Sequence, residues 1–389
     1  MYSSRCTACL SGKSIRNQLR TTWYSGVQLF FLQIHGIIIR YKFIVKNKIN
    51  LSPSIKRGEL SLTTDYLSEI FKSAYTDTIS EWQKQGLSDD EIIKKLNQDT
   101  INNSLKAVLD QASKDYREYF IAKKYEISHR QKIEADKFIA HHNEIWGDCF
   151  AVSETMYVMA LEAAEHYSSF VNENISDEEK KEKQYTFLAL QYMQGRCCQE
   201  FLEILHLMKL GFADCAYARW RSMYELCCNA AFIKKHGETI AKQYVEQSQT
   251  DEHKYSWTKG AKKDDGTELK VTTFQGIQDN CDVDEAWKKQ YKLACFVNHG
   301  SPQGTFKRLC LMDEQSLVVV GQSDYGITTP AEHSAISLQW ITSMFLSIFP
   351  CLDALAHAKV IYDWVDEVRK AYFKTADECF GMNFNYDEK

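Results

Sequence analysis

Apolar residues recur every three or four positions along most of this chain and seldom alternate one by one. That period keeps apolar side chains on one face of an amphipathic helix. From about Ser61 it predicts helices over 63–85, 100–124, 130–172, 212–236, 238–258, 284–297, 330–349 and 353–378, with further starts near 88 and 176. Ser88-Asp-Asp-Glu91 and Ser176-Asp-Glu-Glu179 have capping-box spacing, in which serine and glutamate satisfy each other's free backbone donors. Gly86, Gly211 and Gly237 stand at expected helix ends, where a left-handed residue closes the last turn. No proline occurs between Ser54 and Ser301. This suits long helices, because an interior proline costs about 3 kcal/mol.

Two stretches fall outside the pattern. Residues 259–273 are polar and contain an Asp-Asp-Gly turn signal ending at Gly266. Residues 300–330 include Leu317-Val-Val-Val-Gly321, a β-branched run suited to a strand. The expected fold is therefore mostly α, a multi-helix bundle with one short β-hairpin or irregular insertion near 300–330. Three parts are expected: a basic segment over 1–58, an N-terminal helical region over 59–175, and a helical domain over 176–380.

Charge sharpens the division. Residues 1–58 hold ten Lys or Arg and no Asp or Glu, leaving 37 basic against 52 acidic residues after them, a balance of −15. The acidic body argues against broad binding of a phosphate backbone, which needs a basic surface. The basic start has the composition of a targeting segment or of sequence upstream of the true start, and no function is assigned to it. Val27–Ile39 is apolar but too short to span a bilayer. Ser334–Leu352 lacks formal charge, yet its serines, threonines, glutamine and proline mark a buried core helix, and no membrane span is expected. The 13 cysteines include adjacent pairs within apolar patterns, which suits reduced core thiols and a cytoplasmic setting.

Candidate chemistry gathers on two helices and one turn. On the 212–236 wheel, Phe212, Ala216, Trp220, Met223, Cys227 and Ala230 share a face with Arg219 in its middle. Arg221 and Glu225, four residues apart, lie roughly opposite, beside Tyr217 and Phe232. Apolar groups all round suggest a central helix whose charges are paired inside the protein. The preceding helix carries Arg196, Glu200, Glu203 and His206, and an antiparallel turn at Lys209–Gly211 would bring the two charged sets together. Asn298-His-Gly-Ser-Pro302 follows a helix end; His299 is a candidate general base, and Ser301 a candidate nucleophile or cap. Arg221, Glu225 and His299 are thus the candidate catalytic set. Arg219, Arg196, Glu203, His206, Asn298 and Ser301 are the candidate binding residues. Glu126-Ile-Ser-His129 and Glu203-Ile-Leu-His206 have di-iron spacing, but the further ligands such a centre needs are not apparent, and neither a metal nor a cofactor is expected.

Leu205–Asn229, with Arg221-Ser-x-x-Glu225 inside it, resembles the bacterial domain-of-unknown-function family 5677. So do His299-Gly-Ser-Pro302 and the Val320-Gly321 segment before Thr329-Pro330, and the likeness runs over Gln184–Ala356. The resemblance implies an all-helical intracellular domain of unestablished activity, with Arg221, Glu225 and His299 as marked positions. A looser likeness to HEPN-type helical domains implies a metal-independent ribonuclease of bacterial defence or toxin–antitoxin systems, with RNA as partner. Those enzymes place an arginine four to six residues before a histidine, a spacing this chain lacks; here Arg221 or Arg196 would have to meet His299 in space. Three functional expectations follow: a helical protein with an internal polar pocket and no assigned reaction, a HEPN-like ribonuclease, or an interaction module forming a homodimer.

Overall fold

The computed structural model describes residues 76–95, 98–251, 253–281, 283–310 and 320–382. Val27–Ile39 and most of Leu317–Gly321 lie outside them. Residues 76–84 and Asp89–Lys95 are helical. Seven longer helices follow: α1 (Gln98–Asn174), α2 (Gln184–Lys209), α3 (Ala213–His236), α4 (Glu238–Gln247), α5 (Glu285–Asn298), α6 (Thr328–Leu346) and α7 (Leu352–Phe380). Among the described residues there is no strand, only an isolated bridge between Lys262 and Glu268. Within the expected insertion the described residues form a short helix, Pro302–Phe306, and irregular chain.

Two further departures have local causes. The break expected between 124 and 130 is absent, because that stretch holds no glycine or proline and α1 runs through it. The helix expected to reach 258 stops at Gln247, where the hydroxyls of Ser248 and Thr250 donate back to the carbonyls of Val245 and Gln247. The chain forms two compact units, Met1–Ile121 and Ala122–Lys389. The second part of α1 belongs to the second unit because Trp146, Phe150, Met156, Ala160, Ala163, Tyr167 and Val171 form an i, i+3, i+4 stripe buried in its core.

The two serines do cap helices. Ser176 and Glu179 make the full reciprocal box, and the Glu91 carboxylate accepts from both the amide and the hydroxyl of Ser88. The hairpin of α2 and α3 is antiparallel, since Glu203 meets Arg219 while Glu200 meets Ser222. It turns at Gly211, whose φ is +73°. A Cβ there would stand 2.6 Å from the Phe138 ring and 3.0 Å from the Ser323 amide, which donates to the Gly211 carbonyl. Gly211→Ala is therefore expected to cost about 1–3 kcal/mol in urea unfolding. Gly195→Ala, at an open position within α2, is expected to gain a few tenths to about 1 kcal/mol.

Buried polar groups tie the later segments to this frame. His142, fully buried on α1, sits 2.6 Å from Asp324 Oδ1 through Nδ1 and 2.9 Å from the Met208 carbonyl through Nε2. Trp146 donates to the Asp324 carbonyl, and Ser153 bonds to the Tyr372 hydroxyl of α7. The uncharged run beginning at Ser334 is the core of α6, with Ala335, Leu338, Ile341 and Phe345 wholly buried. None of the described helices is long and apolar enough to cross a membrane. No disulfide joins the cysteines of the described residues, and burial pushes the thiol of Cys149 up to about 11 and that of Cys198 to about 12.

Candidate functional site

Helix α3 is contacted on several sides, and each side pairs its own charges. Toward α2, the Glu200 carboxylate is almost wholly enclosed. Its Oε1 accepts from Arg196 Nε at 2.8 Å, from Arg219 Nη2 at 3.0 Å and from the Ser222 hydroxyl at 3.1 Å. Arg219 Nε also donates to Glu203, so Arg219 spans two carboxylates rather than reaching for solvent. Arg196 holds Gln199 as well, at 3.2 Å, and His206 lies exposed beyond this set. Burial raises the Glu200 pKa above the ordinary carboxylate value, and Arg219, Ser222 and Arg196 partly oppose it.

Toward α5, Arg221 Nη2 donates to Glu225 Oε1 at 3.2 Å. The third member of this group is Tyr291, whose hydroxyl donates to the same oxygen at 2.6 Å and whose ring lies 5.5 Å from the guanidinium carbon. Burial, and then the Glu225 carboxylate, push the Tyr291 pKa well above the usual phenol value. Lys254 Nζ stands 3.8 Å from Glu225 Oε2. His299 is not among these contacts. It is the exposed residue after the last turn of α5, eight positions, or about 12 Å of helix axis, beyond Tyr291. Asn298 is exposed beside it, and Ser301 caps Pro302–Phe306 by accepting from the Gly304 amide at 3.0 Å.

Between these two ionic groups, α3 presents a half-buried stripe of Ala218, Ser222, Glu225 and Asn229 at helical spacing. Three buried polar atoms on or beside it find no hydrogen-bond partner among the described residues: Glu200 Oε2, Arg221 Nε and Asn229 Oδ1. Buried polar atoms in native proteins are nearly always satisfied by protein, water or ligand, so each of these three atoms is open to a polar partner from outside the chain. Two of these orphans are acceptors and one is a donor. Tyr291, Ser222, Asn229 and Lys254 escaped the sequence reading, although the Ser222, Glu225, Asn229 spacing was visible on the helical wheel. Glu126 and His129 sit on the unbroken α1, and among the described residues no three His, Cys, Asp or Glu side chains gather as a metal site.

The fold and this cluster define a mostly α-helical domain built on an antiparallel helix pair with paired charges on both sides of its second helix. Residues 187–283 match the model of a family of unknown function, DUF5677. Arg196, Glu200, Glu203, Arg219, Arg221, Glu225 and Asn229 fall inside it, whereas Tyr291, Asn298, His299 and Ser301 lie beyond it. No curated protein and no solved structure matches the chain. Nothing in these comparisons supports the looser likeness to HEPN-type domains.

Proposed function

We propose that the α2–α3 hairpin is a recognition module for a small polar ligand, bound along the outer stripe of α3, in the cytoplasm. One observation carries this reading: Glu200 Oε2, Arg221 Nε and Asn229 Oδ1, all buried and without partners among the described residues, flank one stripe of one helix. The complement is a compact molecule with at least two donors, for Glu200 and Asn229, and one acceptor, for Arg221. The paired charges on either side hold the recognising groups in place before binding, which lowers the ordering cost. Buried thiols that no disulfide joins among the described residues agree with a reducing compartment. The proposal is of recognition; it includes no reaction.

A thermal-shift and calorimetric screen tests it with free amino acids, ureides and nucleobases, each offering both donors and acceptors. At least one class is expected to raise Tm for the wild-type protein. Asn229→Ala, which removes an atom already lacking a partner, is expected to fold normally and to weaken that ligand about tenfold or more. The reading fails if no class binds, or if the variant binds as tightly as the parent.

A further inference from the structure

On another side of α3 lies a cleft of quite different chemistry. It has a volume of about 230 Å³ and opens between Tyr224 of α3, the start of α5 and one face of α6. Trp287, Trp340, Tyr224 and Ile336 supply its apolar walls, with the polar groups of Ser337 and Gln339 between them. Asp284 is the only formally charged residue of its lining. The carboxylate caps α5 by accepting from the Ala286 amide at 2.7 Å. No ion-pair partner is recorded for it among the described residues.

The aromatic wall is held from behind. Trp287 packs on Trp220 with ring centres 5.8 Å apart and on His333 at 5.2 Å. Trp220 is in turn pinned by its indole N–H, which donates to the Ser337 hydroxyl at 2.9 Å. The Tyr224 hydroxyl accepts from Gln278 at 3.0 Å, which fixes that ring too. Indole faces carry negative potential and attract cations, most strongly where water is partly excluded. Two indoles and the exposed Asp284 carboxylate at the rim attract positive charge, and that carboxylate also offsets the positive end of α5. No lysine or arginine lines the cleft to oppose it. The mainly aromatic and aliphatic lining favours a cation that is weakly hydrated.

We propose that this cleft binds an organic cation of the quaternary ammonium class, with the methyl groups against Trp287 and Trp340 and the charge facing Asp284. The site is independent of the polar stripe on α3 and does not rest on it. Choline and tetramethylammonium are the probes, followed by tryptophan fluorescence and calorimetry on the full chain. The comparison ligand is 3,3-dimethyl-1-butanol, which has the shape of choline without its charge. Choline is expected to bind about tenfold more tightly than this alcohol, in line with a partly desolvated cation–π contact.

Asp284→Asn tests the charge while keeping the helix start, because asparagine caps as well as aspartate. It is expected to retain the parent Tm and to weaken choline about fivefold, leaving the alcohol unchanged. Trp340→Phe keeps a smaller ring and is expected to weaken both cations while the fold persists. Equal affinity for choline and the alcohol would overturn the proposal, as would an Asp284→Asn variant that binds choline unchanged. So would the absence of any response to either cation at millimolar concentration.

Discussion

Replacing Trp220 with alanine is expected to lower the stability of the folded protein by about 3–5 kcal/mol, the range for deleting a large buried ring. Trp220 is wholly buried at the centre of the second unit. Its ring stacks on Tyr217 at 5.5 Å with planes 4° apart, meets His333 edge to face at 4.8 Å, and touches Tyr224 and Trp287. Alanine removes these contacts and also deprives the buried Ser337 hydroxyl of its donor. Trp220→Phe keeps most of the packing and loses the hydrogen bond, so its cost is expected to be about 1–2 kcal/mol. Urea unfolding monitored by circular dichroism measures both. A loss below about 1 kcal/mol for Trp220→Ala would mean that the surrounding helices can close over the gap, contrary to a rigid, densely packed centre.

His333 makes stability depend on pH. It is buried on α6, edge-on to Trp220, Tyr217 and Trp287, with Glu332 Oε2 3.9 Å from Nδ1 and the Thr329 backbone opposing the effect of burial only in part. Burial pushes its pKa down from 6.5 to about 4. In the unfolded chain the imidazole takes its proton near the ordinary value, so below that pH the unfolded state binds the extra proton first. The stabilising contribution of the neutral ring is complete above about pH 6.5 and is lost as pH falls toward 4. The whole shift corresponds to about 3 kcal/mol. Burial also raises the pKa of neighbouring Glu332, which Arg369 at 2.9 Å partly opposes. The comparison is therefore between the wild type and His333→Phe at pH 7 and pH 4.5. The variant is expected to lose about 2–3 kcal/mol less than the parent across that interval. Parallel curves for the two proteins would show that His333 does not titrate in this way.

Much of the helical framework was visible before any coordinates. The starts at 88 and 176 followed from serine and glutamate spacing. Positive φ at Gly86, Gly211 and Gly237 followed from their places after apolar runs. The charged sets of α2 and α3 were expected to converge if the helices were antiparallel, and Glu200, Glu203 and Arg219 do meet. Other contacts left no trace in the sequence. The third group beside Arg221 and Glu225 is a tyrosine, because α5 runs on to Asn298 and carries His299 past them. The end of α5 agrees with the expected one to a residue; what decides this is where along α5 it crosses α3, which has no local signal. His333 was not singled out, since a histidine in an uncharged run reads as ordinary core. Its importance comes from three rings that reach it from α3 and α5.

Local properties therefore settled the helical class, most helix ends and the buried status of α6, because capping, glycine conformation and apolar period act within a turn or two of chain. The partners of each charged or aromatic group were decided only in three dimensions. Pairing across α2, α3, α5 and α6 depends on how far each helix is rotated about its axis and where along its length it crosses its neighbour. Those quantities are set by packing of the whole core, and no short stretch of residues encodes them.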